Sequence, residues 1–593
     1  MKNALYILVI SLLLLNCGQN ESTTNSTNTK NDAFAQLLED FSEDGFKLYP
    51  LNATYNGDDR YNDQLPNYLS DEFKAAERAY YTKYLESLKE FKSEDLTEEE
   101  QLSKAVLEWE CQISLESLNY PTDLTPIDQM WTLQLSIAQL ASGGGAQPFN
   151  TVKDYNNWLR RLDSYLIWMQ SAEDKMREGI EIGYVLPKSL IVKLIPQFEE
   201  MANTKLEDHL FYQPVVNMPD TFTTAQKDSL TTVYSDVITN KVIPAYKKMH
   251  HFLSNEYLAA GRTSSGISAV PGGEDYYNFT IKHYTTIEMT ADEIYELGLA
   301  EVDRIMAEMK KVKEQVGYEG DMKSFFDHIR NSKDLMPFTT AEEVIDNFNV
   351  INEKMKPELE KLFDHKPKTP FEVRRIEAYR EASASAEYNQ GSMDGSRPGI
   401  FYVPVPDPTT YNVLYDEALF LHEAIPGHHY QVSLTLENEQ LPNFRKNIWY
   451  GAYGEGWALY TESLGKELGL YTDPYQYLGM LTMEMHRAIR LVVDVGLHVK
   501  GWTREEAIQY SLDNEAEFEH IIISDVERYM ALPGQALSYK IGQLKISELR
   551  KKAETTLGDK FDIRAFHNEI LETGCIPLTL LEQKINNWIE EQK

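Results

Sequence analysis

Three cysteines in 593 residues are too few for a disulfide-stapled scaffold and argue against a cysteine-ligated metal. Positive charge is also scarce: 57 Lys and Arg stand against 93 Asp and Glu, a formal net charge of −36. No basic stripe interrupts that excess, so a phosphate backbone would be repelled and nucleic-acid binding is not expected. Glycine (31) and proline (24) are too sparse for a collagen-like or low-complexity chain. Strand-like alternation is rare, no repeat period appears, and no Gly-, Pro- or Ser-rich stretch after residue 32 marks a domain boundary. With 42% hydrophobic and 25% charged residues, what is left is a large acidic globular protein.

The one long apolar run stands at the start. Met1-Lys2-Asn3 leads into Ala4–Leu15, followed by Asn16-Cys17-Gly18. A basic start and a short apolar core predict a secretory signal over residues 1–16, too short for a comfortable membrane span. A thiol directly after the run resembles a bacterial lipobox. Cys17 is therefore the expected lipidation site and mature N-terminus, anchoring the protein in the cell envelope by its lipid; a cleaved signal with Cys17 incidental is the alternative. Residues 17–32 form the expected polar tether, since 18–32 offer no apolar side chain to anchor a core. At roughly 5–6 Å × √n it spans about 20 Å. Cys111 and Cys575 remain, either bridged or both buried as small hydrophobes.

Residues 33–593 read as a single helical catalytic body, of one lobe or two. Thr97-Glu98-Glu99-Glu100, Thr290-Ala291-Asp292-Glu293 and Thr503-Arg504-Glu505-Glu506 are capping boxes ahead of periodic apolar runs. Ile294, Leu297, Val302, Ile305, Met306 and Met309 trace one helix face. The best strand is Gly399–Val405, just ahead of the segment that carries the chemistry. The expected fold is mainly α: a large helical body with a cleft and a small β element beside the active-site helix.

That segment is Leu421-His422-Glu423-Ala424-Ile425-Pro426-Gly427-His428-His429. It nearly spells the zinc-peptidase motif His-Glu-x-x-His, in which two His one helical turn apart hold the metal and Glu acts as general base. Here the position four after His422 is Pro426. On an ideal helix His428 would lie about 240° round from His422, and His429 on the same face but about 10.5 Å along the axis. Pro426 removes a backbone donor, restrains Ile425 and precedes a permissive Gly427. A kink there would bring His428 back beside His422. Glu455, in Gly454-Glu455-Gly456-Trp457, is the candidate third ligand, with Glu462 as a supporting or alternate ligand and His429 as another alternate. The competing reading is a polar helix end without metal, although the segment spends three of the chain's 13 His within eight residues.

These residues, together with Ala53-Thr54 and Gly57, Pro271-Gly272-Gly273-Glu274, Asp394-Gly395-Ser396-Arg397-Pro398-Gly399, Arg490-Leu491-Val492-Val493-Asp494, Gly501-Trp502-Thr503 and Pro533-Gly534-Gln535-Ala536, resemble the bacterial domain-of-unknown-function family 885 over nearly the whole mature chain. The resemblance implies a zincin-like, largely helical body related to metallopeptidases; many members are lipoproteins. A weaker similarity links Val526-Glu527-Arg528-Tyr529 and His520 to the helix of helical peptidyl-dipeptidases that sets a Tyr and a His over the zinc. It implies Tyr529 as oxyanion donor and His520 as substrate contact. Arg397, Arg490, Lys540 and Tyr539 are candidates for a peptide's terminal carboxylate, each with a structural ion-pair or packing role as the alternative. Asp494, four residues after Arg490, reads as its helical salt-bridge partner.

The expected function is a lipid-anchored zinc metallopeptidase acting on peptides in the cell envelope. His422, His428 and Glu455 hold Zn2+, and Glu423 takes the proton of the attacking water. A catalytically inactive peptide-binding lipoprotein and an envelope scaffold are the competing readings.

Overall fold

Each of the three capping boxes starts a helix. Thr97 opens Glu98–Ser117, Thr290 opens Ala291–Gln315 and Thr503 opens Arg504–Asn514, with the Thr hydroxyl and the Glu three residues on satisfying each other's backbone N–H. Thr151, Thr223 and Thr340 begin further helices in the same way. In this computed structural model residues 30–377, 381, 385–392 and 397–593 are described. The expected signal peptide, Cys17 and residues 17–29 of the tether lie outside the described residues, as do Asp394, Gly395 and Ser396. The first helix begins at Asp32, the last residue assigned to the tether, capped by the Asn31 side chain.

The fold is mainly α. Its apolar side chains gather into two main cores. One is built around Val152–Ile182 and Lys188–Asn203, with Trp158, Tyr165, Phe198 and Tyr246 at its centre. The Ala53-Thr54 landmark serves this region structurally: the buried Arg161 donates to Thr54 Oγ1 at 2.9 Å. The larger core holds the elements around the functional segment. Ala291–Gln315 (α1) buries Ile294, Val302, Ile305 and Met309, the face its spacing predicts. Ala341–Leu362 (α2) leads to three short strands, Phe371–Arg375 (β1), Glu387–Asn389 (β2) and Gly399–Val403 (β3). Then come Asp416–Glu423 (α3), His428–Glu437 (α4), Gly451–Ser463 (α5), Pro474–His498 (α6), Glu519–Ala531 (α7) and Leu537–Leu557 (α8). From Ala488 to His498 every residue of α6 is buried, as befits a helix at the centre of a body. It packs against α1, α3, α7 and α8.

The tightest helix contact joins α5 to α8. A Cβ on Gly456 would stand 2.5 Å from the Gly542 Cα, and one on Gly542 would stand 1.8 Å from the Ala452 carbonyl oxygen. Only glycine at both positions lets the two backbones meet.

The strand expectation needs correction. The strand ends at Val403, not Val405, and it is the middle of the sheet: β1 pairs with it in parallel and β2 antiparallel. Both of its edges are used, and the outer edges belong to β1 and β2. Cys111 and Cys575 are both buried free thiols.

Candidate metal centre

The helix that carries His422 stops where its sequence says it must. Ala424 leaves helical geometry (φ −108°, ψ −107°), Pro426 lacks a donor, and Gly427 turns the chain (φ −74°, ψ −125°) before α4 restarts at His428. The turn folds tightly onto the end of α3: a Cβ on Gly427 would stand 1.9 Å from the His422 carbonyl oxygen and 2.3 Å from that of Leu421. Two side chains of α5 hold it. Trp457 Nε1 donates to the Pro426 carbonyl at 2.9 Å, and Thr461 Oγ1 donates to the Leu421 carbonyl at 2.9 Å.

This fold-back sets His428 beside His422, with ring centroids 4.9 Å apart and planes at 88°. The Nε2 atoms of His422 and His428 lie 3.5 and 3.6 Å from Glu455 Oε2. One donor atom from each of the three residues falls within 4.8 Å of the others. A tetrahedral ion with bonds of about 2.0–2.1 Å separates its donors by roughly 3.3–3.5 Å, which the two His–Glu455 separations approach, and two imidazoles with a carboxylate are donors of the type zinc takes. Behind it, His422 Nδ1 donates to Glu462 Oε1 at 2.7 Å, which leaves Nε2 for the centre. His428 Nδ1 and Glu462 Oε2 are buried without a hydrogen-bond partner among the described residues.

The electrostatics are those of opposed charges packed close together. Burial disfavours charge on His422, but the adjacent Glu455 and Glu462 carboxylates overcome it and raise the imidazole to about 9. Burial likewise opposes the charge on Glu455, and the two His hold its carboxyl well below the usual range. Glu423 is different: burial raises its pKa against the partial compensation of His422 and His428. Among the described residues no hydrogen bond engages its carboxylate. A carboxylate beside His422 with no hydrogen-bond partner among the described residues has the free oxygens that a general base needs.

Each residue of Gly454-Glu455-Gly456-Trp457 has its own task. Gly454 admits the Trp449 indole, which would meet a Cβ at 2.1 Å; Glu455 faces the His pair; Gly456 meets α8; Trp457 clamps the turn. Trp449, which the sequence reading did not single out, is 48% exposed and its ring lies 6.0 Å from that of His428.

The other candidates fall in different places. His429 points away, toward the strands: its Nδ1 meets the Tyr388 hydroxyl at 3.0 Å, its ring lies 5.0 Å from Phe371, and burial lowers it to about 4. Tyr529 is buried on α7, its hydroxyl accepting from Arg490 Nε at 3.1 Å. Arg490 in turn lies 4.5 Å over the Tyr539 ring, and Tyr539 feels the charge of Glu455. Tyr529 thus reaches the centre only through intermediaries. His520 is exposed and lines a separate groove of about 270 Å³ with Gln129, Lys193 and Glu527. No contact among the described residues links it to the cluster. Lys540 is fully buried against Glu301 (2.9 Å) and Glu484 (2.7 Å), and Arg397 is exposed. Asp494 does not pair with Arg490. It accepts from the Tyr277 hydroxyl at 2.6 Å and the Gly534 N–H at 3.1 Å, because its side chain faces across to another helix.

Comparison with known proteins agrees with this architecture. A candidate lipoprotein from Colwellia psychrerythraea of known structure is 29% identical, over 94% of this chain and 99% of its own, with a TM-score of 0.86. A candidate lipoprotein of unknown function from Shewanella oneidensis, 20% identical over 93% of this chain and 99% of its own, shares the fold with a TM-score of 0.75. No curated protein matches. The sequence pattern described as "Bacterial protein of unknown function (DUF885)" matches residues 50–585, nearly all of the helical body and the whole of the His422–His428–Glu455 cluster; the chain belongs to the DUF885 family.

Proposed function

We propose that the protein is a lipid-anchored zinc metallopeptidase of the cell envelope. One observation carries the reading: a broken helix brings two imidazoles and a carboxylate within 4.8 Å of one another, with Glu423 unpaired at their side. Zinc held by His422, His428 and Glu455 supplies Lewis acidity to water and to the scissile carbonyl. Glu423 accepts the proton of the attacking water and returns it to the leaving amine. Glu462 fixes the tautomer and orientation of His422. The half-exposed Trp449 offers an apolar wall for a substrate side chain. Anchoring rests on the Cys17 segment and on the lipoprotein descriptions of the two related structures; no described helix is long and apolar enough to cross a membrane.

Elemental analysis of the purified protein and of His428→Ala, followed by assay on a peptide library, tests the proposal. About one zinc per chain, lost in His428→Ala, is expected, with hydrolysis that Glu423→Gln abolishes while zinc stays bound. Wild-type turnover in Glu423→Gln would refute the assigned base. A wild type that takes up no zinc would leave a peptide-binding lipoprotein.

A further inference from the structure

Some buried cations of this protein are saturated, although Arg445, held through both Nη atoms, also keeps a buried Nε without a partner. Arg161 makes hydrogen bonds to Gln64, Gln147, Thr54 and Tyr61, and Lys540 sits between Glu301 and Glu484. Two arginines on α6, one turn apart, are not. Arg490 is 6% exposed, yet the only hydrogen bond of its guanidinium among the described residues is Nε to the Tyr529 hydroxyl, and Nη1 is buried with no partner. Arg487 donates only Nη1 to the Met483 carbonyl, at 3.3 Å, and its Nε is buried with no partner. No carboxylate among the described residues forms an ion pair with either. Asp525, whose charge Arg490 feels, is taken up by His486 and Arg528, each at 3.1 Å.

The two arginines stand on a helix that packs against the elements of the candidate metal centre. α6 packs on α3, which carries His422 and Glu423, and on α8, which carries Tyr539. Arg487 acts electrostatically on Glu423, and the Arg490 guanidinium stacks over Tyr539. A buried guanidinium with free N–H groups is costly unless an anion completes it, and its planar fork matches the two oxygens of a carboxylate. In a chain of net charge −36, unpaired positive charge at one point selects where an anion can sit.

We propose that Arg490, backed by Arg487, binds the terminal carboxylate of the substrate peptide, making the protein a peptidase that cuts near the C-terminus. This rests on the metallopeptidase reading and adds its direction. The reaction consumes one water: the scissile C–N bond breaks, the carbonyl carbon gains the oxygen, and the leaving nitrogen takes up the proton.

The test uses Ala-Ala-Phe-Leu as the free acid and as its C-terminal amide, with Ala-Ala-Phe-Glu amide as a control. With zinc-supplemented protein the free acid should show a kcat/KM about 10–100-fold above the amide, the range of a charge-assisted hydrogen bond. Arg490→Gln should erase that difference mainly through KM. Arg490→Lys, which keeps the charge in a folded background, should restore part of it. Equal rates on acid and amide would overturn the inference and leave the peptidase intact. If the glutamate amide matched the free acid, a side-chain carboxylate would be the ligand and the terminal assignment would fall. If nothing is cleaved, titration calorimetry of Glu423→Gln with the same peptides decides. Preference for the acid upholds the carboxylate site while the peptidase reading falls, and equal or absent binding overturns both.

Discussion

Glu462 is 2% exposed and gives one oxygen to His422 Nδ1, while its other oxygen has no partner among the described residues. Its task is to hold one imidazole at one angle. Glu462→Ala should therefore weaken zinc affinity about 10–100-fold, as measured by competition with a chromophoric chelator, without loss of helical circular dichroism. Unchanged affinity would show that the imidazole orients itself. At this scale the sequence was most legible where chemistry is concentrated. The convergence of His422, His428 and Glu455 is legible in residue type, the Pro-Gly interruption and one short return along the chain. His429 was ambiguous because an ideal helix returns it to the face of His422; the turn at Ala424–Gly427 instead hands that face to His428 and sends His429 toward Tyr388. Arg490 could be named from the sequence only as one of four candidates, and Arg487 and Trp449 not at all, because the lack of partners that singles out the two arginines is a property of the packed structure alone.

Helices announce themselves through their ends. The Thr-led capping boxes were readable because the signal is local, four residues long and enforced by backbone donors that need a partner. The sheet was not. Phe371–Arg375 alternates apolar and charged residues too briefly to register, Glu387–Asn389 is three residues long, and only the buried central strand was visible. The contact of α5 with α8 was equally hidden, since Gly456 and Gly542 are 86 positions apart in sequence. Gly542→Ala must push its methyl against the Ala452 carbonyl, so a destabilisation of about 1–3 kcal/mol is expected, read from the denaturant midpoint. Zinc affinity should fall with it because Glu455 rides on α5. A variant as stable as wild type would mean that the helices separate freely.

Across the whole molecule, distant segments are tied by polar groups buried without charge. His498 on α6 accepts the Ile267 N–H at Nδ1 and donates from Nε2 to the Tyr529 carbonyl, each at 2.9 Å, and burial holds it at about 3. In the unfolded chain it titrates near 6.5. The unfolded state thus takes up the proton first as pH falls, so the stability this group contributes is full above about 6.5 and is lost progressively toward pH 3. The stability gap between wild type and His498→Gln should narrow by up to about 1.4 kcal/mol per pH unit below 6.5, followed by denaturant melts at successive pH values. A gap independent of pH would mean that the folded imidazole protonates as readily as the unfolded one. The mainly helical class and the acidic surface could be read from composition and periodicity. The division of the apolar side chains into two main cores could not, because no linker separates them and the N-terminal segments contribute to both.

The backbone contact at Gly456 and Gly542 also bears on what the active site would release. It locks the helix of Glu455 to the helix of Tyr539, on whose ring Arg490 stacks. With an ion at one end and the guanidinium at the other, a bound peptide would lie along a gauge whose two marks cannot slide. Fragments cut from the ends of unrelated peptides would then share a single length, set by the gauge and indifferent to side chain.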